Sequence, residues 1–130
     1  MGSSSDEDIT VSDLREAISK FVRGREWERF HNPKNLAESI CVEASELLEL
    51  FQWLTTAESK RLKRDPANLR LLSSELADVL TYCFALANAI QVDVSGSVLS
   101  KLKESSRRYP KSSYKGKAPS RFRSNSRKIY

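Results

Sequence analysis

The 130-residue sequence predicts an all-α fold, a four-helix bundle that occupies residues 10–110. Apolar side chains recur every three or four positions in four segments, and no segment alternates apolar and polar residues as a half-buried strand would. Helix-start signals precede the first two segments, at Thr10 and at Asn32-Pro33. Because a helical body of about 100 residues buries only a modest core, we expect the bundle to assemble as an oligomer.

The first two predicted helices follow these start signals. Thr10 and Asp13 have the spacing of a capping box, which predicts a first helix from about Ser12 to Arg29. Its apolar positions are Leu14, Ile18, Phe21 and Val22. Pro33 suits the first position of the second helix, which ends near Trp53 and carries Leu36, Ile40, Leu47, Leu50, Phe51 and Leu54 along its apolar stripe.

The second half of the body predicts two more helices. A polar connection around Asp65-Pro66 leads into a long apolar run, Leu69 to Ile90, which has the composition of a largely buried third helix. After the interruption at residues 91–93, a shorter fourth helix begins at Val94 and ends before Tyr109-Pro110. Helices two and three are expected to form the centre of the bundle.

Charge is distributed unevenly along the chain. Residues 1–102 carry 12 Lys and Arg against 16 Asp and Glu, whereas residues 103–130 carry 10 against 1. Residues 1–9 have the composition of a disordered leader, and residues 111–130 that of a basic disordered tail. A basic tail leaves open another class of protein, an oligomeric helical interaction protein that binds nucleic acid. Since the tail lacks the apolar periodicity of a folded module, we do not expect nucleic-acid contact.

The sequence also predicts where the protein resides. No stretch reaches the roughly 20 apolar residues that span a bilayer, and the Ser- and acid-rich start does not resemble a signal peptide. Cys41 and Cys83 are too few for a disulfide framework or a zinc site, and each lies in an apolar run where a reduced thiol packs well. These features predict a cytoplasmic protein with no membrane contact, and they are compatible with access to the nucleus.

Two pairs of acids stand out within the central helices. Glu43 and Glu46 lie three residues apart in the second helix, and Glu75 and Asp78 repeat this spacing in the third. Apolar neighbours flank both pairs, so carboxylates that face each other between the helices would be partly desolvated and would require a cation. Oxygen ligands alone favour Mg²⁺, with Mn²⁺ as a substitute. The alternative is that these acids form ordinary surface ion pairs with Lys and Arg.

Two longer segments contain these acids. The run VEASELLELFQW at residues 42–53, followed by ELADVLTY at 75–82, resembles the MazG-like superfamily of all-α nucleoside triphosphate pyrophosphohydrolases. The segment REWERFHNPKNL at residues 25–36 and the ending RRYP at 107–110 resemble the members of that family that act on dCTP. The resemblance implies a MazG-like bundle assembled as a homotetramer. It also implies magnesium-dependent hydrolysis of dCTP to its monophosphate and pyrophosphate.

The resemblance further implies a nucleotide site. It places His31 and Trp27 over the nucleobase, Trp53 on the opposite side and Tyr82 beneath the sugar. The aromatics could instead pack in the core, and His31 could be a capping or surface residue. Lys101, Arg108 and Tyr109 resemble the phosphate-contacting end of the fourth helix, although a basic, solvated helix terminus would look the same. Related enzymes often carry Asn where this chain has Ser105, and a hydroxyl lacks the two donors of an amide.

These residues predict a mechanism. The four carboxylates hold Mg²⁺ against the triphosphate, and water attacks the α-phosphorus. Glu46 is the carboxylate we expect to accept the proton of that water. The same chemistry on dUTP or on a modified nucleotide stays open as an alternative, because the sequence does not identify the groups that contact the base edge, for which His31 is a candidate.

Overall fold

The computed structural model describes residues 4–119, and all regular secondary structure in that range is helical. Four long helices carry the fold, with two short helices and two 3₁₀ turns between or after them. In chain order the elements are α1 (Val11–Arg23), a 3₁₀ turn (Glu28–Phe30), α2 (Pro33–Glu49), α3 (Thr56–Arg61), a second 3₁₀ turn (Leu62–Arg64), α4 (Pro66–Ala89), α5 (Val94–Arg108) and α6 (Lys111–Tyr114). The all-α prediction is therefore confirmed.

Side-chain caps fix where the helices begin. At the start of α1, the Thr10 side chain accepts a hydrogen bond from the backbone N–H of Asp13. The Asp13 carboxylate in turn accepts a hydrogen bond from the Thr10 N–H. Asn32 caps α2, and Asp65 caps α4 through a 2.8 Å bond from the Ala67 N–H. The first turns of α2 and α4 carry a proline, which suits a position whose N–H has no partner within the helix.

The helix ends differ from the prediction. The first helix stops at Arg23, six residues early, because the chain reverses over residues 24–26 and Glu26 adopts a positive φ of 53°. The second helix ends at Glu49, and the following residues up to Trp53 form turns. The break predicted at residues 91–93 is confirmed, since α4 ends at Ala89 and α5 begins at Val94.

The described residues divide into two compact units, residues 4–94 and residues 95–119. Within the first unit, α2 and α4 make the most extensive helix contact and α1 packs on α4, as expected for central helices two and three. Arg15 joins α1 to the end of α4: its guanidinium donates to the Asn88 side chain and to the carbonyls of Ala87 and Val92. The Asn88 amide donates back to the Arg15 carbonyl at 3.0 Å.

The third predicted helix, α4, is less buried than the sequence suggested. Only Ala85 and Ala87 of α4 are fully buried, and Leu76 and Leu80 are about half exposed. The expectation that this helix is largely buried is therefore wrong for the single chain. The physical reason is that α1 and α2 cover only part of a helix whose apolar residues extend almost all the way round.

The two ends of the chain are partly described. In the predicted leader, residues 1–3 lie outside the described range and Ser5 and Asp8 form a hydrogen-bonded turn. In the predicted tail, residues 120–130 lie outside it, whereas Lys111–Tyr114 form α6. Among residues 4–119, no single helix is both long enough and apolar enough to cross a membrane. Only α4 and α5 taken together reach that length and hydropathy.

Candidate metal and nucleotide site

The two acid pairs face each other across α2 and α4. One carboxylate oxygen from each of Glu43, Glu75 and Asp78 lies within 4.8 Å of the other two. The three-residue spacing projects each pair from one side of its helix, and the packing of α2 on α4 brings the two sides together. Within residues 4–119 these acids form no ion pair with Lys or Arg, which argues against the surface ion-pair alternative.

The electrostatics of this carboxylate cluster are unfavourable without a cation. Burial raises the pKa of the Glu43 carboxyl above its ordinary value, and the charges of Glu46, Asp78 and Glu75 raise that pKa further. The Oε2 atom of Glu75 is buried and has no hydrogen-bond partner. A buried carboxylate oxygen without a donor is costly, so the site lacks a positive partner. Three convergent carboxylates fit a hard divalent cation such as Mg²⁺.

Glu46 occupies a different position from the other three acids. It is exposed and lies outside the group of three, yet it is close enough for its charge to raise the pKa of Glu43. The sequence does not distinguish the four acids from one another. In the structure, three carboxylates lie together and the fourth, that of Glu46, is exposed to solvent. The predictions that Glu46 binds metal and accepts a proton stay predictions.

His31 and Tyr82 lie close together, and their predicted contacts with the base and the sugar stay predictions. Their rings stack with centroids 6.4 Å apart and planes inclined by 29°. Both line an open cavity of about 430 Å³, which α2 borders through Asn35, Leu36, Glu38, Ser39 and Val42. We call this the His31–Tyr82 cavity. His31 also lines a second cavity, of about 320 Å³, between α1 and the end of α4.

The two tryptophans are not part of that stack. Trp27 packs edge-on against Phe21, with ring centroids 5.9 Å apart, and remains 43% exposed. Trp53 is 87% exposed and has no ring partner among the described residues. A core role is thereby excluded for Trp53, while the predicted placement of the two rings on either side of a base stays a prediction.

The predicted phosphate-contacting residues lie in the second unit. Lys101 and Arg108 both pair with Glu104, at 2.8 Å and 3.5 Å, through the i+3 and i+4 spacing of one helix face. The Tyr109 ring meets Tyr114 edge-on at 5.1 Å, and the Tyr109 N–H donates to the Ser105 carbonyl. Sequence reasoning missed Glu104, although its spacing from both cations was visible. Phosphate binding by Lys101, Arg108 and Tyr109 stays a prediction.

Sequence reasoning also missed Asn35, which lies inside the quoted segment at residues 25–36. Its side-chain amide donates to the Phe30 carbonyl at 3.1 Å, and its backbone N–H donates to the Asn32 side chain at 3.0 Å. It thus ties the 3₁₀ turn before α2 to the first turn of that helix, beside the His31–Tyr82 cavity. An Asn at the third position of a helix was the only available signal, and it is weak.

Comparisons with known proteins identify the family to which this fold belongs. The model of the MazG-like family matches residues 38–118. Human dCTP pyrophosphatase 1 is 43% identical over 101 residues, and the rat protein of the same name is 41% identical. Each alignment covers 78% of this chain but 59% of the relative, so the chain spans about three fifths of the length of these relatives.

A solved structure is similar over most of both chains. A pyrophosphatase from Archaeoglobus fulgidus DSM 4304 superposes with a TM-score of 0.69 at 31% identity, covering 85% of this chain and 98% of its own. The family match includes all four predicted metal-binding acids and more than half of the chain. The chain belongs to the MazG-like family.

Proposed function

We propose that this chain hydrolyses dCTP to dCMP and pyrophosphate with the help of a divalent cation. The observation that carries the proposal is the carboxylate cluster of Glu43, Glu75 and Asp78, in which the Oε2 atom of Glu75 is buried and has no hydrogen-bond partner. The names of the relatives supply the substrate, since those that align over 101 residues are dCTP pyrophosphatases. Magnesium is the metal we propose, with Mn²⁺ as a substitute, because every donor is a carboxylate oxygen.

In this proposal Glu43, Glu75 and Asp78 hold the cation and Glu46 completes the set from the solvent edge. When bound, the metal neutralises charge on the triphosphate and lowers the pKa of an attacking water. Glu46 is exposed and outside the convergent group, so it is the carboxylate freest to accept the proton of that water. The water oxygen bonds to the α-phosphorus as the bond to the bridging oxygen of pyrophosphate breaks.

The nucleotide end of the site is proposed to lie beside the cluster. His31 and Tyr82 provide aromatic surface for the base and sugar, and Trp27 and Trp53 provide further exposed rings. Lys101, Arg108 and Tyr109 are proposed to contact phosphates, where Ser105 offers one hydroxyl in place of an amide. Glu104 would then act as the counter-ion that holds Lys101 and Arg108 before the substrate binds.

We also propose that the enzyme is a homotetramer in the cytoplasm. Large apolar side chains remain exposed on both central helices: Val42 and Leu48 on α2, and Leu76 and Leu80 on α4. Monomeric proteins rarely leave large contiguous apolar patches in water, so this surface is suited to other subunits. Both cysteines are free, which suits a reducing compartment.

The experiment that tests the proposal is a release assay over a panel of triphosphates. Purified protein would be incubated with each common nucleoside and deoxynucleoside triphosphate, including dUTP and 5-modified dCTP, in the presence of Mg²⁺ or EDTA. We expect magnesium-dependent release of pyrophosphate, fastest from dCTP. Absence of release from every triphosphate would overturn the proposal, and a faster rate on dUTP or a modified nucleotide would replace the substrate.

A further inference from the structure

The His31–Tyr82 cavity begins one helical turn from the carboxylate cluster on both central helices. Ser39 lies four residues before Glu43 on α2, and Tyr82 lies four residues after Asp78 on α4. A four-residue step along a helix advances about 6 Å, so the cavity and the cluster are neighbours on one side of the helix pair. If phosphates bind at the cluster, as the proposed function requires, this cavity is suited to the attached base.

Aromatic surfaces in this cavity cannot select the base by themselves. Every nucleobase has a flat face that stacks on a ring such as His31 or Tyr82, so selection depends on hydrogen bonds at the base edge. Cytosine differs from uracil at position 4, where an amino group that donates replaces a carbonyl that accepts. A residue that favours cytosine through position 4 must present an acceptor that cannot become a donor.

Three side chains with polar atoms line the α2 side of the cavity: Asn35, Glu38 and Ser39. The Glu38 carboxylate is largely exposed and pairs with Lys34 at 2.9 Å, so it is screened by water and already has a partner. A Ser39 hydroxyl can turn to donate or accept, so it does not discriminate. The His31 ring and the Tyr82 hydroxyl also line the cavity, but each can donate as well as accept. Asn35 is half-buried and is the candidate that remains.

The Asn35 amide is held in one orientation. Its nitrogen donates to the Phe30 carbonyl, while its oxygen has no hydrogen-bond partner among the described residues. Turning the amide over to present the nitrogen to a ligand would break that bond and leave the Phe30 carbonyl without its donor. The Phe30 carbonyl therefore fixes the amide of this cavity-lining residue and leaves Oδ1 available as an acceptor.

We propose that Asn35 determines base specificity by accepting a hydrogen bond from the 4-amino group of cytosine on Oδ1. Uracil and thymine would place a carbonyl oxygen against the same Oδ1, and two acceptors without a hydrogen between them repel. This proposal rests on the proposed function and deepens it. It assigns the preference for dCTP over dUTP to the Asn35 side chain and to its hydrogen bond with the Phe30 carbonyl.

Binding of monophosphates tests this assignment independently of turnover. Dissociation constants of dCMP and dUMP would be measured by calorimetry for the parent protein, Asn35→Ala and Asn35→Asp. We expect the parent to prefer dCMP and the preference to fall roughly tenfold in Asn35→Ala, the effect of one hydrogen bond. Asn35→Asp keeps an acceptor but cannot donate to the Phe30 carbonyl, so it should still prefer dCMP, though less strongly than the parent.

Asn32→Ala is the matched control. It removes an Asn side chain from the same helix start, including the bond from the Asn35 N–H, without removing a group that lines the cavity. Asn32→Ala and Asn35→Ala should both lower the melting temperature, but only Asn35→Ala should change the preference between bases.

The outcomes separate this inference from the proposed function. An equal affinity of the parent protein for dCMP and dUMP, or an unchanged preference in Asn35→Ala, would overturn the role of Asn35 even if dCTP is hydrolysed. Loss of preference in Asn35→Ala would support that role even if no triphosphate is hydrolysed, in which case only the proposed reaction fails.

Discussion

Replacing Glu75 by Gln tests the carboxylate cluster directly, because it removes one negative charge while keeping the size of the side chain. Three carboxylate oxygens lie within 4.8 Å of one another, so Glu75 repels both Glu43 and Asp78. Each repulsion at that distance is about 1 kcal/mol in water and about 3.5 kcal/mol at an effective dielectric constant of 20. Since Asp78 is exposed, we use the lower value for each pair.

The expected change in stability follows from these two repulsions. Glu75→Gln should raise the metal-free stability by about 2 kcal/mol, which is a rise of about 8 °C in melting temperature at about 4 °C per kcal/mol. Mg²⁺ should reverse the order. The parent protein gains stability from a ligand that binds only the folded state, and the variant, with one ligand fewer, gains less. Catalytic turnover by the variant should fall below detection.

The assay is thermal unfolding at pH 7 in EDTA and in a Mg²⁺ series, with Glu49→Gln as the control. Glu49 is an exposed acid on α2 outside the cluster, so its replacement should change neither the metal-free melting temperature nor the response to Mg²⁺. A metal-free Glu75→Gln protein that melts at or below the parent temperature, or that keeps the parent response to Mg²⁺, would refute this account of the cluster.

Further predictions concern other parts of the chain. Arg15→Met should lower the free energy of unfolding by about 2–4 kcal/mol in chemical denaturation, because three hydrogen bonds to the end of α4 are lost. Trp27→Ala should raise KM for dCTP roughly 5–150-fold in steady-state kinetics. The melting temperature of this variant should change little, because Trp27 is 43% exposed. An unchanged KM with a large drop in melting temperature would show that Trp27 stabilises the fold and does not bind the base. Hydrogen bonds from Thr10 hold the pKa of the Asp13 carboxyl below its ordinary value, so this residue stabilises the fold above that value and the contribution is lost as pH falls. Asp13→Asn should therefore melt below the parent protein at pH 7, and the difference should close below about pH 4. Deleting residues 120–130 should leave KM and kcat for dCTP unchanged, and a change in either would give those residues a part in catalysis.

The sequence predicted the helices well because the relevant signals are local. Thr10, Asn32 and the apolar periodicity each act within a few residues, and the helix starts at Val11 and Pro33 agree with them. The end of α1 was misplaced because a chain reversal with positive φ at Glu26 leaves no periodic signal. Burial of α4 was overestimated because periodicity identifies an apolar face without showing whether the same chain covers it.

The candidate site was predicted in part for the same reason. The i, i+3 pairs predicted that Glu43, Glu75 and Asp78 lie near one another, and their carboxylates do so because α2 packs on α4. Metal binding by these residues stays a prediction. The sequence could not separate Glu46 from these three, because the difference depends on the rotation of one helix against the other. The hydrogen bond between Asn35 and the Phe30 carbonyl could not be predicted from the sequence either, since it depends on the turn that precedes α2.

In the proposed reaction, water attacks the α-phosphorus of dCTP at the carboxylate cluster. The most direct measurement is a single-turnover reaction in ¹⁸O-labelled water, with the products separated and their masses determined by mass spectrometry. We expect equimolar dCMP and pyrophosphate, one ¹⁸O atom in the phosphate of dCMP, and no reaction in EDTA. Label in pyrophosphate, release of orthophosphate with dCDP, or an undiminished rate in EDTA would contradict it.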